Sequence, residues 1–81
     1  MEKITHKELL EITENLYLGT NEIMKIGYVG KNRAVKIKKE INFELEAEGA
    51  YVHKDVVPTE KVIYYFGLKE VLNALRKNKN A

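Results

Sequence analysis

Eighty-one residues without a cysteine suit one small domain, with neither a disulfide nor a thiolate metal site to brace it. No apolar run approaches the roughly 20 residues of a membrane span, and residues 1–7 lack the apolar core of a signal peptide. A cytoplasmic protein that avoids membranes is expected. The net charge is only +2, but it is sorted: residues 1–29 carry −2, residues 30–39 carry +5, residues 40–48 carry −4, residues 49–67 balance, and residues 68–81 carry +3. Two basic patches in a nearly neutral chain point to a local anionic contact rather than general stickiness. A core this small is marginal, so a homodimer is one expected partner state.

Thr5 and Glu8 have capping-box spacing, and Ile4 and Leu9 can staple the same turn. With Leu9, Leu10, Ile12, Leu16 and Leu18 following, the pattern predicts a helix over about residues 5–15. Gly19 breaks it. Thr20 is the next good N-cap, with Glu22 in the first turn, where a carboxylate suits the helix dipole. Ile23, Met24 and Ile26 predict a short helix ended by Gly27, and Tyr28-Val29-Gly30 forms a tight connection.

The longest predicted helix runs from Gly30 to Glu48. Ala34, Ile37, Ile41 and Leu45 recur at three- and four-residue steps and define a core face. Asn32, Lys36, Lys39 and Phe43 fall on the opposite side. Phe43 is a misfit there and is expected to pack under the following segment or at a dimer contact. The charges oppose the dipole, which favours acids at the N-terminus and bases at the C-terminus by about 0.3–1 kcal/mol each. Here the bases come first, an arrangement that suits an anionic partner such as a phosphate backbone.

Gly49 is a natural residue to end this helix. Ala50 to His53 and Val56-Val57, flanking Lys54-Asp55, suggest a short β-hairpin. Pro58-Thr59-Glu60 then starts a helix, with Pro58 just before or at its first position and Thr59 able to cap. Val62, Ile63 and Phe66 give its apolar face, and Gly67 closes it. Leu68, Val71, Leu72 and Leu75 carry a last helix, with fraying expected from Arg76 to Ala81.

The expected fold is mainly α with a short β-hairpin, in the layout of a winged helix-turn-helix. Residues 1–19 would be an N-terminal helical extension, residues 20–68 the helix-turn-helix core with its hairpin wing, and residues 69–81 the last helix and tail.

No catalytic constellation stands out. His6 and His53 are far apart and lack the spacing of a metal site. Gly27 to Lys31 only faintly resembles a phosphate loop. Neither catalysis, a metal nor a cofactor is expected. The DNA-binding constellation is richer. Lys31, Asn32 and Arg33 occupy the first turn of the long helix, where base-edge contacts arise in helix-turn-helix proteins. Arginine can grip guanine and asparagine can grip adenine, each bidentately. Lys36 and Lys39 suit bases or phosphates, and the more lateral Lys38 suits phosphate. Gly30 leaves backbone N–H groups approachable by a phosphate oxygen. Thr20 and Lys25 are candidate backbone contacts, although Thr20 is first a cap and Lys25 first a solvated side chain. Lys54, with Tyr51 and His53, could touch DNA from the hairpin. Tyr64 and Tyr65 read as packing residues. A weaker alternative treats Gly30 to Ile37 as part of a helix-hairpin-helix, although Tyr28 stands where that motif has its first glycine.

Several short pieces share a wider pattern. They are Glu22-Ile23-Met24-Lys25-Ile26-Gly27, Lys31-Asn32-Arg33-Ala34-Val35-Lys36-Ile37, Leu45-Glu46-Ala47-Glu48-Gly49-Ala50-Tyr51, Val57-Pro58 and Phe66-Gly67-Leu68. With these, residues 20–68 resemble small helix-turn-helix proteins, excisionase-like or transcriptional regulators, of bacterial prophages and integrative elements. The resemblance implies sequence-specific binding of double-stranded DNA through the helix beginning near Gly30, an integrase or host protein as a further partner, and no catalysis. Two departures matter. The Tyr28-Val29 turn is about one residue longer than usual, and residues 1–19 are extra. The acids of residues 40–48 would repel a duplex, so only the first two turns should enter a groove. The competing expectation is a protein-interaction module, such as a small phage inhibitor of a host factor, whose basic stripe meets an acidic partner.

Overall fold

A computed structural model describes residues 3–80. The element order is α1 (His6–Thr13), β1 (Tyr17–Leu18), α2 (Thr20–Gly27), α3 (Lys31–Ala47), β2 (Val57–Pro58), α4 (Thr59–Phe66) and α5 (Lys69–Asn80). The chain is mainly helical with one two-stranded antiparallel sheet. No helix among the described residues is long and apolar enough to cross a membrane.

The core is built from α3 outward. Ala34, Ile37, Ile41 and Leu45 are all buried, as their spacing requires. They join Leu18, Ile23, Val57 and Val62 in one cluster, with Met24, Val52 and Phe66 packed against its edge. The expected capping box forms at α1: the Glu8 amide donates to Thr5 Oγ1 at 3.1 Å, and Glu8 Oε1 accepts from the Thr5 amide at 3.4 Å. The last helix extends to Asn80, so the tail expected to fray from Arg76 is helical; Ala81 lies outside the described residues.

The sheet corrects the expected hairpin. Residues 50–53 do not pair with residues 56–57. Instead Leu18 pairs with Val57 and Tyr17 with Pro58, across some forty residues of chain. Burial decides this arrangement. Leu18 and Val57 are both fully buried, whereas Tyr51 and Lys54 remain exposed. The Thr59 amide donates to Leu16 O at 3.0 Å, and the Thr59 hydroxyl donates to Asn15 O. Thr59 is therefore no cap. It ties the start of α4 to the segment before β1, and Pro58 takes the cap position.

Three helices end in the same way, with a left-handed residue and a chain reversal closed by backbone bonds. At α3 this residue is Gly49, with φ of 78°, and at α4 it is Gly67, with φ of 66°. At α2, which ends at Gly27 as expected, it is the next residue, Tyr28, with φ of 52°. Gly27 is required for another reason. A Cβ there would collide with the ring of Phe66. Gly27→Ala is therefore expected to destabilise the fold by about 1–3 kcal/mol through overpacking. Urea unfolding measures this, and adding Phe66→Leu should recover part of the loss.

Candidate nucleic-acid interface

Gly30 caps α3 with extended backbone and no side-chain partner for the first-turn N–H groups. Beyond its chain neighbours nothing lies within 4 Å of where its Cβ would stand, and Gly30 itself is exposed. Exposed first-turn amides at a positive dipole end can receive a phosphate oxygen. Lys31, Asn32 and Arg33 follow at once, and all three are exposed.

At about 100° per residue, Asn32, Lys36, Lys39 and Phe43 form one outward line opposite the buried face. All four are exposed. Arg33 lies about 100° round from Asn32, towards the flank where Glu40 also falls. There Glu40 Oε2 accepts from the Tyr65 hydroxyl of α4 at 3.1 Å. Among the described residues, Lys31, Arg33, Lys36 and Lys39 make no ion pair; the ion pair present joins Lys61 to Glu48 at 3.1 Å. Two of the four acids of residues 40–48 are thus tied to α4, whereas Lys31, Arg33, Lys36 and Lys39 are in no ion pair among the described residues.

The other flank of α3 holds the loop of residues 50–56. Lys38 is half-buried, and its ammonium donates to Thr20 Oγ1 at 3.1 Å and to Asp55 O at 3.2 Å. Asn42, one turn on, donates to His53 O at 3.3 Å. The imidazole of His53 meets Tyr17 and Tyr51 edge-on, with ring centroids 5.0 and 4.8 Å away. The loop therefore lies beside α3 without any strand pairing of its own, and Lys54 is exposed at its bend.

These contacts revise two assignments. Lys38, expected to reach phosphate, is a clamp joining α2, α3 and the loop. Thr20, expected to cap α2, accepts from that clamp; Gly19 stands at the cap, with its amide donating to Glu22 Oε1 at 2.9 Å. Lys25 is exposed on α2, but it borders a shallow depression with Lys3, His6 and Leu68 that no α3 residue lines. Asn42 is a residue that sequence reasoning missed. Its four-residue spacing from Lys38 puts both on one flank, but only the loop's path gives that flank a purpose. Among the described residues, no group of three or more His, Asp or Glu side chains could hold a metal.

Lys38→Met should remove both bonds at a cost of about 1 kcal/mol. Trypsin should then cut after Lys54 severalfold faster while α3 stays intact. Unchanged cleavage would show that the loop does not depend on this clamp.

Comparison of the chain with protein-family models, with curated proteins and with solved structures gives no match.

Proposed function

We propose that this chain binds double-stranded DNA, with the first two turns of α3 in the major groove. The observation that carries the reading is the exposed tip of α3: Gly30, then Lys31, Asn32, Arg33, Lys36 and Lys39, all exposed and, among the described residues, in no ion pair. Sequence information would come from base edges, and affinity from phosphate contacts. Asn32, on the outward line, suits a base edge. Lys31, Arg33, Lys36 and Lys39 suit phosphates, with Arg33 able to grip a guanine if the helix rolls towards its flank.

The order of elements supports a winged helix-turn-helix reading. A short helix and a longer one are joined by the turn at residues 28–30, and the two-stranded sheet joins β1, which precedes them, to β2, which follows them. The clamped loop of residues 50–56 takes the place of the wing and offers Lys54 to the adjacent backbone. Together with the resemblance to mobile-element proteins, this suits a transcriptional regulator or excision factor that acts without catalysis. An integrase or a host protein would then be its natural further partner.

The test compares Lys36→Ala with Arg33→Ala on a selected duplex and on random DNA. Removing a group that meets phosphate weakens binding to both duplexes equally. Removing a group that reads a base relaxes preference at one position by about 1–3 kcal/mol. Equal weakening on both duplexes assigns Arg33 to phosphate. Unchanged binding to both duplexes by both variants removes α3 from the interface.

A further inference from the structure

We propose that α3 pairs antiparallel with α3 of a second copy of this chain, across the outward line that carries Phe43. In the free protein this pairing covers Lys36 and Lys39 of the DNA-facing stripe. The masking rests on the DNA-binding reading; the pairing does not.

Phe43 is 75% exposed in the middle of an otherwise polar face. It neither packs under the loop nor joins the core cluster. Its neighbours say what could cover it. Lys36, Lys39, Phe43 and Glu46 are spaced three, four and three apart, so they form a straight seam along the helix, as in a coiled coil. All four are exposed. The two lysines lie on the N-terminal side and the glutamate on the C-terminal side.

A two-fold axis at the level of Ile41 makes this seam self-complementary. In an antiparallel pair it sets Lys36 opposite Glu46 of the second copy and Lys39 opposite Phe43 of the second copy. The two-fold repeats each pairing. The outer layers are ion pairs. In the inner layers a lysine stem lies along a phenyl ring while its ammonium reaches solvent beyond the contact, which is favourable in its apolar part. A parallel pair would set lysine against lysine and glutamate against glutamate.

The same arrangement answers the charge order along α3. Each basic N-terminal half, disfavoured by its own dipole, lies beside the C-terminal half of the opposing helix, with its acids. The acids of Glu40 and Glu48 are already held by Tyr65 and Lys61, while Glu46 is exposed on the seam. Residues 36–46 span only about 15 Å of helix axis. The contact therefore falls short of the roughly 1,200 Å² of a stable complex and gives a weak, reversible dimer. Lys36 and Lys39 also belong to the proposed DNA-binding stripe, so duplex and second copy compete for them.

Sedimentation velocity of the full chain without DNA, over rising concentration at about 50 mM salt, should show a monomer–dimer equilibrium that weakens with added salt. Phe43→Ala, Lys36→Glu and Glu46→Lys should each weaken it by about tenfold or more, as truncation or reversal at a central contact does. All three positions are exposed, so thermal melting verifies that each variant folds. Mixing Lys36→Glu with Glu46→Lys should restore a mixed dimer, because every outer layer is again an opposite pair. A monomer at every concentration, a dimer unaffected by Phe43→Ala, or a mixture that stays monomeric would overturn the pairing. Added duplex should dissociate the dimer. A stable complex of duplex with the paired α3 helices would overturn the masking. A monomer that binds duplex would overturn the pairing and leave the DNA reading standing. A dimer that ignores duplex would overturn the DNA reading, and the masking with it, and leave the pairing standing.

Discussion

Reversing Lys36 and Lys39 together to glutamate should abolish measurable duplex binding, a loss of at least about 100-fold at 50 mM salt. Each substitution removes a cation from the outward line and places a carboxylate where a phosphate would lie. Neither side chain holds the fold: both are exposed and among the described residues neither makes an ion pair. Stability should therefore change by no more than about 0.5 kcal/mol. The melting curve and the binding isotherm, taken on one preparation, separate a lost interface from a lost fold. Retained binding with an unchanged melt would show that the outward line of α3 is not the contact surface.

Ile37→Ala has the largest expected effect on stability. Ile37 is 1% exposed at the centre of the α3 core face, where Leu18, Ile23, Val57 and Val62 also gather. Truncation of such a side chain costs about 2–5 kcal/mol in lost transfer energy and residual cavity. A domain of this size has only about 4–12 kcal/mol to lose. The variant should unfold at a much lower urea concentration, and its DNA binding should fall with its folded fraction. An exposed neighbour such as Lys36→Ala should leave the urea midpoint nearly unchanged.

The contrast between these two residues is legible in the sequence, because a helix writes its faces in three- and four-residue steps. The steps place Ala34, Ile37, Ile41 and Leu45 inside and Asn32, Lys36, Lys39 and Phe43 outside; the structure agrees at every one. The capping box at Thr5 and Glu8 and the left-handed Gly49 are also legible, since each is a local signal. The sheet is not. A two-residue strand has no periodicity, and the pairing of Leu18 with Val57 depends on distant chain brought together by burial. The β-branched and aromatic content of residues 50–57 suggests a local hairpin, but those side chains pack individually instead. Val57 enters the core, Val52 lies against its edge, and His53 meets Tyr17 and Tyr51 edge-on.

The site is legible in the same uneven way. Charge order along α3 identifies the basic tip, because charge is a property of composition and spacing. It cannot show that Lys38 alone among those bases is held inward. That depends on Thr20 Oγ1 and Asp55 O arriving from two other segments. Nor can glycine positions alone show which of Gly27 and Tyr28 takes the left-handed conformation. Gly27 is needed because Phe66 lies against it, a contact nearly forty residues away.

The most direct test of DNA binding by α3 is the salt dependence of affinity for a labelled duplex, measured between about 50 and 200 mM salt. With three to five phosphates neutralised by Lys31, Arg33, Lys36, Lys39 and Lys54, the log–log slope should be about −3 to −5. It should become shallower by about 1 in Lys36→Ala if Lys36 meets a phosphate. No binding at 50 mM salt, or a slope near zero, would contradict DNA binding and turn the basic tip of α3 towards an acidic protein partner.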